Sequence, residues 1–426
     1  MRFDEYRNLD GVALAKLVAD GEVTAAELLE LAIARAEAVN PALNGLIIPL
    51  YDQAREQAAG SLSGPLAGVP MLTKDLFQEI GGAPNYQGNK ALKQADNHAA
   101  VDSELVRRWK AAGVVLFGRT NTPEFGAKGI TEPEAFGATR NPWNTEHTPG
   151  GSSGGSAALV AAGVVPFAGA NDGGGSIRIP AGCCGLFGLK PGRGRTPWGP
   201  TFSEAMHGIS MNHVVTRSVR DSAVLLDATQ GEEVGSLFRI APPERSYLSE
   251  LESDPKPLRI AYSTTSPIDT EVDPEAVAAV EDAARLLESL GHKVEQASPK
   301  MDMLAMSMDW LSMWFANCAA NVDWVKEQTG CGNEGFELDT LAMAAFGHAT
   351  SAPDYVRCYQ RWQGYSRALA EFHQQYDLWL TPTLALQPAR IGASETPAWQ
   401  QQMLKVILKV GAEKLVMKTG LVEQMV

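Results

Sequence analysis

Two glycine-rich loops, each built around serine, constrain this chain more than any other feature. The first reads Pro149-Gly150-Gly151-Ser152-Ser153-Gly154-Gly155-Ser156. The second reads Asn171-Asp172-Gly173-Gly174-Gly175-Ser176-Ile177-Arg178, and its serine lies 24 residues after Ser152. The chain holds 41 glycines, and many of them fall between Gly150 and Gly199. Stretches without side chains let backbone N–H groups come close to a bound oxygen. The oxygen could belong to a phosphate or to a reacting carbonyl.

Three chemistries compete for these loops. A Walker-type phosphate cradle ends in Gly-Lys-Ser/Thr, and neither loop has lysine there. A hydrolase elbow, G-x-S-x-G, fits Gly151 to Gly155 with Ser153 at its centre. That motif comes directly after a strand, whereas Asn144-Thr145-Glu146-His147-Thr148-Pro149 does not read as one. No local pattern singles out a partner among His207, His213, His292, His348 and His373. The third chemistry makes Ser176 a nucleophile beside an oxyanion hole built from Gly173, Gly174 and Gly175. It needs a base. Lys74 comes after the apolar run Val69-Pro70-Met71-Leu72-Thr73, which suggests a buried amine. An ordinary lysine is neutral in only roughly one molecule in two thousand at pH 7. Burial lowers that barrier toward the pKa of ~7–8 that a general-base lysine needs. Taken alone, Lys74 is more readily a surface or salt-bridged lysine.

The remaining composition narrows the classes. The chain has 426 residues, 45% of them hydrophobic and 20% charged, an ordinary globular balance. Its net charge of −14 argues against a nucleic-acid or acidic-membrane partner. Five cysteines without a C-x-x-C pair argue against a disulfide framework or a zinc site. The charged start MRFDEYRNLDG and the lack of an 18-residue apolar run point to a cytoplasmic protein.

Residues 9–60 read as helices, with a capping box at Thr24-Ala25-Ala26-Glu27. Short apolar runs at 114–117, 164–168, 255–261, 293–295 and 377–380 read as strands. Residues 301–375 read as helical, and 401–417 as an amphipathic packing helix. Asp273-Pro274-Glu275 opens a helix, making 255–295 a βαβ unit. The alternation argues for an α/β sheet with helices on both sides.

Lys74 in its V-P-x-x-x-K-D setting, the GGSSGGS loop and the DGGGSIRIPA loop together resemble the amidase signature family. Thr139–Asn144, Gly188–Pro191, Thr216–Asp221 and Leu380–Thr383 extend the resemblance, which runs from about residue 8 to 393. The resemblance implies an α/β fold with a mixed β-sheet core surrounded by helices. It divides the chain into an N-terminal helical arm (1–60), a catalytic core (61–395) with a helix-rich substrate-side insert (301–375), and a helical tail (396–426). It implies amide hydrolysis without metal or cofactor on a small-molecule amide, and leaves a homodimer open.

The site residues it implies are Ser176 as nucleophile, Ser152 as proton relay after a cis peptide bond, and Lys74 as final base. Gly173, Gly174 and Gly175 would hold the oxyanion, and Ser153, Asp172 and Arg178 would support the loops. Cys318 and Trp314, on the helical insert, are candidate substrate contacts. The second loop, Thr131-Glu132-Pro133-Glu134 and the 78-residue gap from Lys74 to Ser152 look nearest to bacterial amidases of the 6-aminohexanoate cyclic dimer hydrolase type.

Two departures stand out. The usual G-T-D-T-G-G-S is here Ala170-Asn171-Asp172-Gly173-Gly174-Gly175-Ser176. The family's later sheet segment, with T-G-x-P and a final helix, is missing after Thr383. Two alternatives remain: a glutamine-dependent amide-transfer subunit for tRNA amidation, or a shortened, non-catalytic remnant of the fold.

Overall fold

The computed structural model describes residues 1–410. Two compact units are present, residues 1–253 with 388–394, and residues 254–387 with 395–410.

The first unit is built on a mixed six-stranded sheet. Its strands are β1 (Leu46–Pro49), β2 (Pro70–Lys74), β3 (Val115–Thr120), β4 (Phe167–Asp172), β5 (Phe187–Gly188) and β6 (Met211–Thr216). They lie in the order β1-β3-β2-β4-β6-β5. β2 runs parallel to β3 and β4, while β1, β5 and β6 pair antiparallel to their neighbours. Every residue of β2, β3, β4 and β6 is buried. Burial on both faces explains why the segments around β2 and β3, residues 69–73 and 114–117, read as continuous apolar runs and not as alternating patterns.

Helices supply the cover. Helix Ala25–Leu43 starts at the capping box expected from the sequence: the Glu27 N–H donates to Thr24 Oγ1, and the Thr24 N–H donates to Glu27 Oε2. Its buried face carries Leu28, Leu29, Ala32, Ile33 and Ala36, the spacing of one helical stripe. Residues 388–394 return to this unit, where the Thr148 N–H donates to Ala389 O at 2.9 Å.

The second unit holds a parallel sheet of β7 (Arg259–Tyr262), β8 (Lys293–Gln296) and β9 (Leu378–Leu380), in the order β8-β7-β9. Helix Pro274–Ser289 connects β7 to β8, the expected βαβ unit. Asp273 caps that helix by accepting from the Glu275 N–H at 2.8 Å, and proline occupies the first turn. Helices Met303–Thr329, Leu338–Ala349 and Ala352–Phe372 fill the region expected to be helical.

Three sequence expectations shift. Residues 9–60 are not all helical, because β1 interrupts them and pairs with β3. A four-residue strand between two helices leaves too short a period to read. The strand expected at 164–168 begins instead at Phe167, after Pro166. The Val164 N–H still donates to Leu159 O in the turn that ends the preceding helix. The last helix begins at Ala398, and the part of the amphipathic stretch from 411 to 417 lies outside the described residues.

Candidate active site

Lys74 is the last residue of β2, and its neighbours hold it from three directions. The Lys74 N–H donates to Gln78 Oε1 at 2.8 Å, and Gln78 Nε2 donates onward to Ala170 O at 3.0 Å. Gln78 thereby ties the end of β2 to the adjacent strand β4. Gly169 makes room for this bridge, since a Cβ there would stand 2.1 Å from Gln78 Oε1. Arg119, on β3, donates to Lys74 O at 3.1 Å, to Gln78 O at 2.8 Å and to Asp75 Oδ1 at 2.9 Å. Asp75 and Arg119 are both fully buried. Burial raises the Asp75 carboxyl to about 6, with the Arg119 charge acting in the opposite direction.

The Lys74 side chain is fully buried. Its Nζ lies 2.6 Å from Ser152 Oγ and 2.7 Å from Asn171 Oδ1. Asn171 Nδ2 donates to Leu76 O at 2.9 Å, which fixes the amide with its oxygen toward the lysine. Burial pushes the Lys74 amine well below its ordinary value, and the charge of Asp172 acts in the opposite direction. Both polar contacts of the amine are neutral groups, so neither holds the proton on by charge.

Ser152 sits at the mouth of helix Gly154–Ala161, and the Gly151–Ser152 peptide is cis. The loop is held by Thr131, whose hydroxyl donates to Gly150 O at 2.9 Å and accepts from the Gly154 N–H at 3.1 Å. Ser153 Oγ accepts from the Asn171 N–H and donates to Asn171 O, both at 3.4 Å. The first glycine loop is therefore pinned to the end of β4.

The second loop leaves β4 through Asp172, a buried carboxylate that organises the turn beyond it. Asp172 Oδ1 accepts from the Gly175 N–H at 2.7 Å, and Oδ2 accepts from the Ile177 N–H at 3.3 Å. Arg178 Nε and Nη2 clamp both carboxylate oxygens at 2.8 and 2.9 Å. Burial would raise the Asp172 carboxyl, but the Arg178 hydrogen bonds and charge hold it below the usual range. Gly175 has φ near +125°, a conformation a side chain would strain. Of the three glycines expected to face an oxyanion, Gly175 thus has its N–H engaged by Asp172. The N–H groups of Gly173, Gly174 and Ser176 donate to no described residue.

Ser176 lies at the start of the helical turn after this loop and is 9% exposed. Its Oγ hydrogen-bonds neither Ser152 nor Lys74 among the described residues. The structure therefore joins Lys74 to Ser152 directly, and both glycine loops to β4. Trp314 and Cys318 lie on helix Met303–Thr329 of the second unit. Trp314 stacks on Trp310 with ring centroids 5.0 Å apart, and Cys318 is buried. Of the histidines weighed for a triad, His213 is buried on β6 with Nε2 2.9 Å from Ser222 Oγ. Sequence reasoning passed over Asn171 and Gln78. The Thr-to-Asn departure in the second loop was the available signal for Asn171.

The amidase family model matches residues 27–420. The chain belongs to the amidase family. It is a hydrolase of amides, as that membership entails. This amidase is 39% identical over 390 residues to 6-aminohexanoate-cyclic-dimer hydrolase of Pseudomonas sp. (strain NK87), covering 90% of its own chain and 79% of the relative. A solved structure of 6-aminohexanoate cyclic dimer hydrolase superposes with a TM-score of 0.87 at 36% identity, over 95% of this amidase and 88% of that chain. A bacterial aryl acylamidase of the amidase signature family superposes with a TM-score of 0.84 at 30% identity, over 92% and 83%. No described helix of the amidase is long and apolar enough to cross a membrane.

Proposed function

We propose that this amidase cleaves a carboxylic amide through an acyl-enzyme on Ser176, with Ser152 as relay and Lys74 as base. The observation that carries the reading is the neutral surroundings of a buried amine. A lysine held in this way gives up its proton more readily than an ordinary one and so becomes able to accept one. Its lone pair then faces Ser152 Oγ, while one N–H stays on Asn171 Oδ1.

In the proposed cycle, Ser152 passes its proton to Lys74 as it takes the proton of Ser176. The Ser176 oxygen attacks the amide carbon. The N–H groups of Gly173, Gly174 and Ser176 receive the negative charge on the carbonyl oxygen, each donor typically worth a few kcal/mol. The stored proton returns through Ser152 to the leaving amine, the C–N bond breaks, and water then releases the acid by the same relay. The Ser152–Ser176 hydrogen bond forms in this account when substrate fills the site, since such contacts often tighten only in the complex. Asp172 and Arg178 keep the loop in shape and exchange no proton.

The substrate class proposed is a linear or cyclic amide of an aliphatic acid with an alkyl or aryl amine, in line with the two kinds of relative. Turnover of a panel of cyclic amides, anilides, short aliphatic amides and glutamine tests this. Hydrolysis of cyclic amides or anilides, with glutamine inert, is the expected result. Turnover of glutamine alone would favour the amide-transfer role, and turnover of none of them the remnant.

A further inference from the structure

A second groove, of about 570 Å³, lies in the first unit on the side of helix Ala25–Leu43. Its volume falls in the usual range for small-molecule sites. Three arginines line it, Arg7, Arg35 and Arg217, and no aspartate or glutamate does. In a chain with 36 basic and 50 acidic residues, that sorting runs against the overall charge.

The arginines converge on one turn. Arg35 Nε donates to Ala162 O at 3.0 Å, and Arg217 donates to Arg7 O at 2.5 Å and to Leu9 O at 2.7 Å. Gly163 sits among them, its Cβ direction 3.5 Å from Arg7 Cβ and 4.0 Å from Arg217 Nη1. Among the described residues, neither Arg35 nor Arg217 pairs with a carboxylate. Arg35 uses only Nε in hydrogen bonding, which leaves the two terminal nitrogens of its fork. Arg7 pairs with Asp4 at 3.2 Å, an exposed contact that holds it weakly.

Away from this end the groove turns apolar. Ala38, Val39, Ala42 and Leu43 lie beyond Arg35 on the same face of the helix, spaced three, four, seven and eight residues on. That stripe extends about 12 Å from the arginine end. Trp143 also lines the groove, 75% exposed although its indole N–H is tied to Cys184 O at 2.8 Å. An exposed, fixed indole beside an apolar stripe suits contact with a hydrocarbon or aryl group.

We propose that this groove binds an organic carboxylate with an apolar tail, head on the arginines and tail along the stripe toward Trp143. Guanidinium is the natural partner of a carboxylate, because its fork matches both oxygens. Acids of this kind are what amide hydrolysis releases, so the amidase's own product is one source, and a free fatty acid is another. The inference stands on the groove alone and does not depend on which serine is acylated.

The test is calorimetric titration of the full chain with hexanoate, decanoate and hexanol. Saturable binding of one carboxylate in the groove is expected, with hexanol at least tenfold weaker for lack of charge. Arg35→Met should weaken hexanoate roughly tenfold while leaving amide turnover unchanged. Binding lost at Arg35 also separates this site from any product bound at the catalytic centre. Decanoate binding tighter than hexanoate would point to the fatty-acid source, and the reverse to short product acids. Equal binding of hexanol and hexanoate, or an unchanged affinity in folded Arg35→Met, overturns the proposal. If Arg35→Met fails to fold, the exposed Arg7→Gln variant and a salt titration take its place. A few-fold loss with steep salt dependence supports the site, and no change in either refutes it.

Discussion

Lys74 Nζ and Asn171 Oδ1 lie 2.7 Å apart, so a buried amine has for its nearest side-chain acceptor outside the serines an uncharged amide. A carboxylate in that place would lock the proton on. The amide instead orients the amine while leaving its charge to be decided by burial, which here disfavours the ammonium. Most of the chemistry proposed for this amidase rests on that choice of neighbour.

Asn171→Asp should reverse the effect. A carboxylate at hydrogen-bond distance favours the charged lysine and should move the acid limb of the rate profile upward by about one to three pH units. Asn171→Ala should lower kcat with a much smaller displacement of that limb. A pH profile of kcat/KM for both variants checks this. A residue that merely packed would lower rate in both without separating the two profiles.

The wild-type profile should itself climb with pH through the lowered Lys74 value, because only the neutral amine accepts a proton. Stability has the same sign. The unfolded chain binds the lysine proton up to about 10.5, while the folded chain releases it earlier. Between those two values the unfolded state holds more protons, so stability rises with pH across that window. Below the window, Lys74→Met should melt at a higher temperature than wild type and yet be inactive. Thermal melts at several pH values measure this. An unchanged or lower melting temperature at low pH would mean the lysine is not buried as a reluctant cation.

Arg119→Met should be costly to the fold. It leaves Asp75 buried without its partner and frees the carbonyls of Lys74 and Gln78. Loss of one member of a buried ion pair typically costs about 3–5 kcal/mol. Urea denaturation should show a loss of that order. A loss under about 1 kcal/mol, the scale of exposed pairs, would contradict the buried network.

Much of this arrangement was legible in the sequence, for a physical reason. The glycine loops need bare backbone, and Lys74 needs an apolar run before it, so both leave local marks. Gln78 and Asn171 leave none that names a partner. Each acts through a contact made only when β2 and β4 lie side by side, and Asn171 is 97 residues from its lysine. Gly169 marks the same closeness, but a lone glycine in a strand does not say what approaches it. The start of β4 was misplaced because Val164 and Val165 have strand-forming side chains. Their backbone, however, belongs to the turn before Pro166.

Lys74→Ala should lower turnover by about 10²–10⁴-fold, the usual worth of a positioned general base. Circular dichroism should remain near wild type. His213→Ala should leave turnover within a few-fold wherever the variant folds, since no proton passes through that ring in this account. Turnover assays on folded protein decide both. Collapse of activity in the histidine variant, with Lys74→Ala active, would restore a histidine-based triad.

Intact-mass and peptide mapping after treatment with a fluorophosphonate tests the central claim most directly. One adduct per chain is expected, located on Ser176, absent in Ser176→Ala and strongly slowed in Lys74→Ala and Ser152→Ala. An adduct on Ser153 or another residue, or wild-type labelling without Lys74, would contradict it.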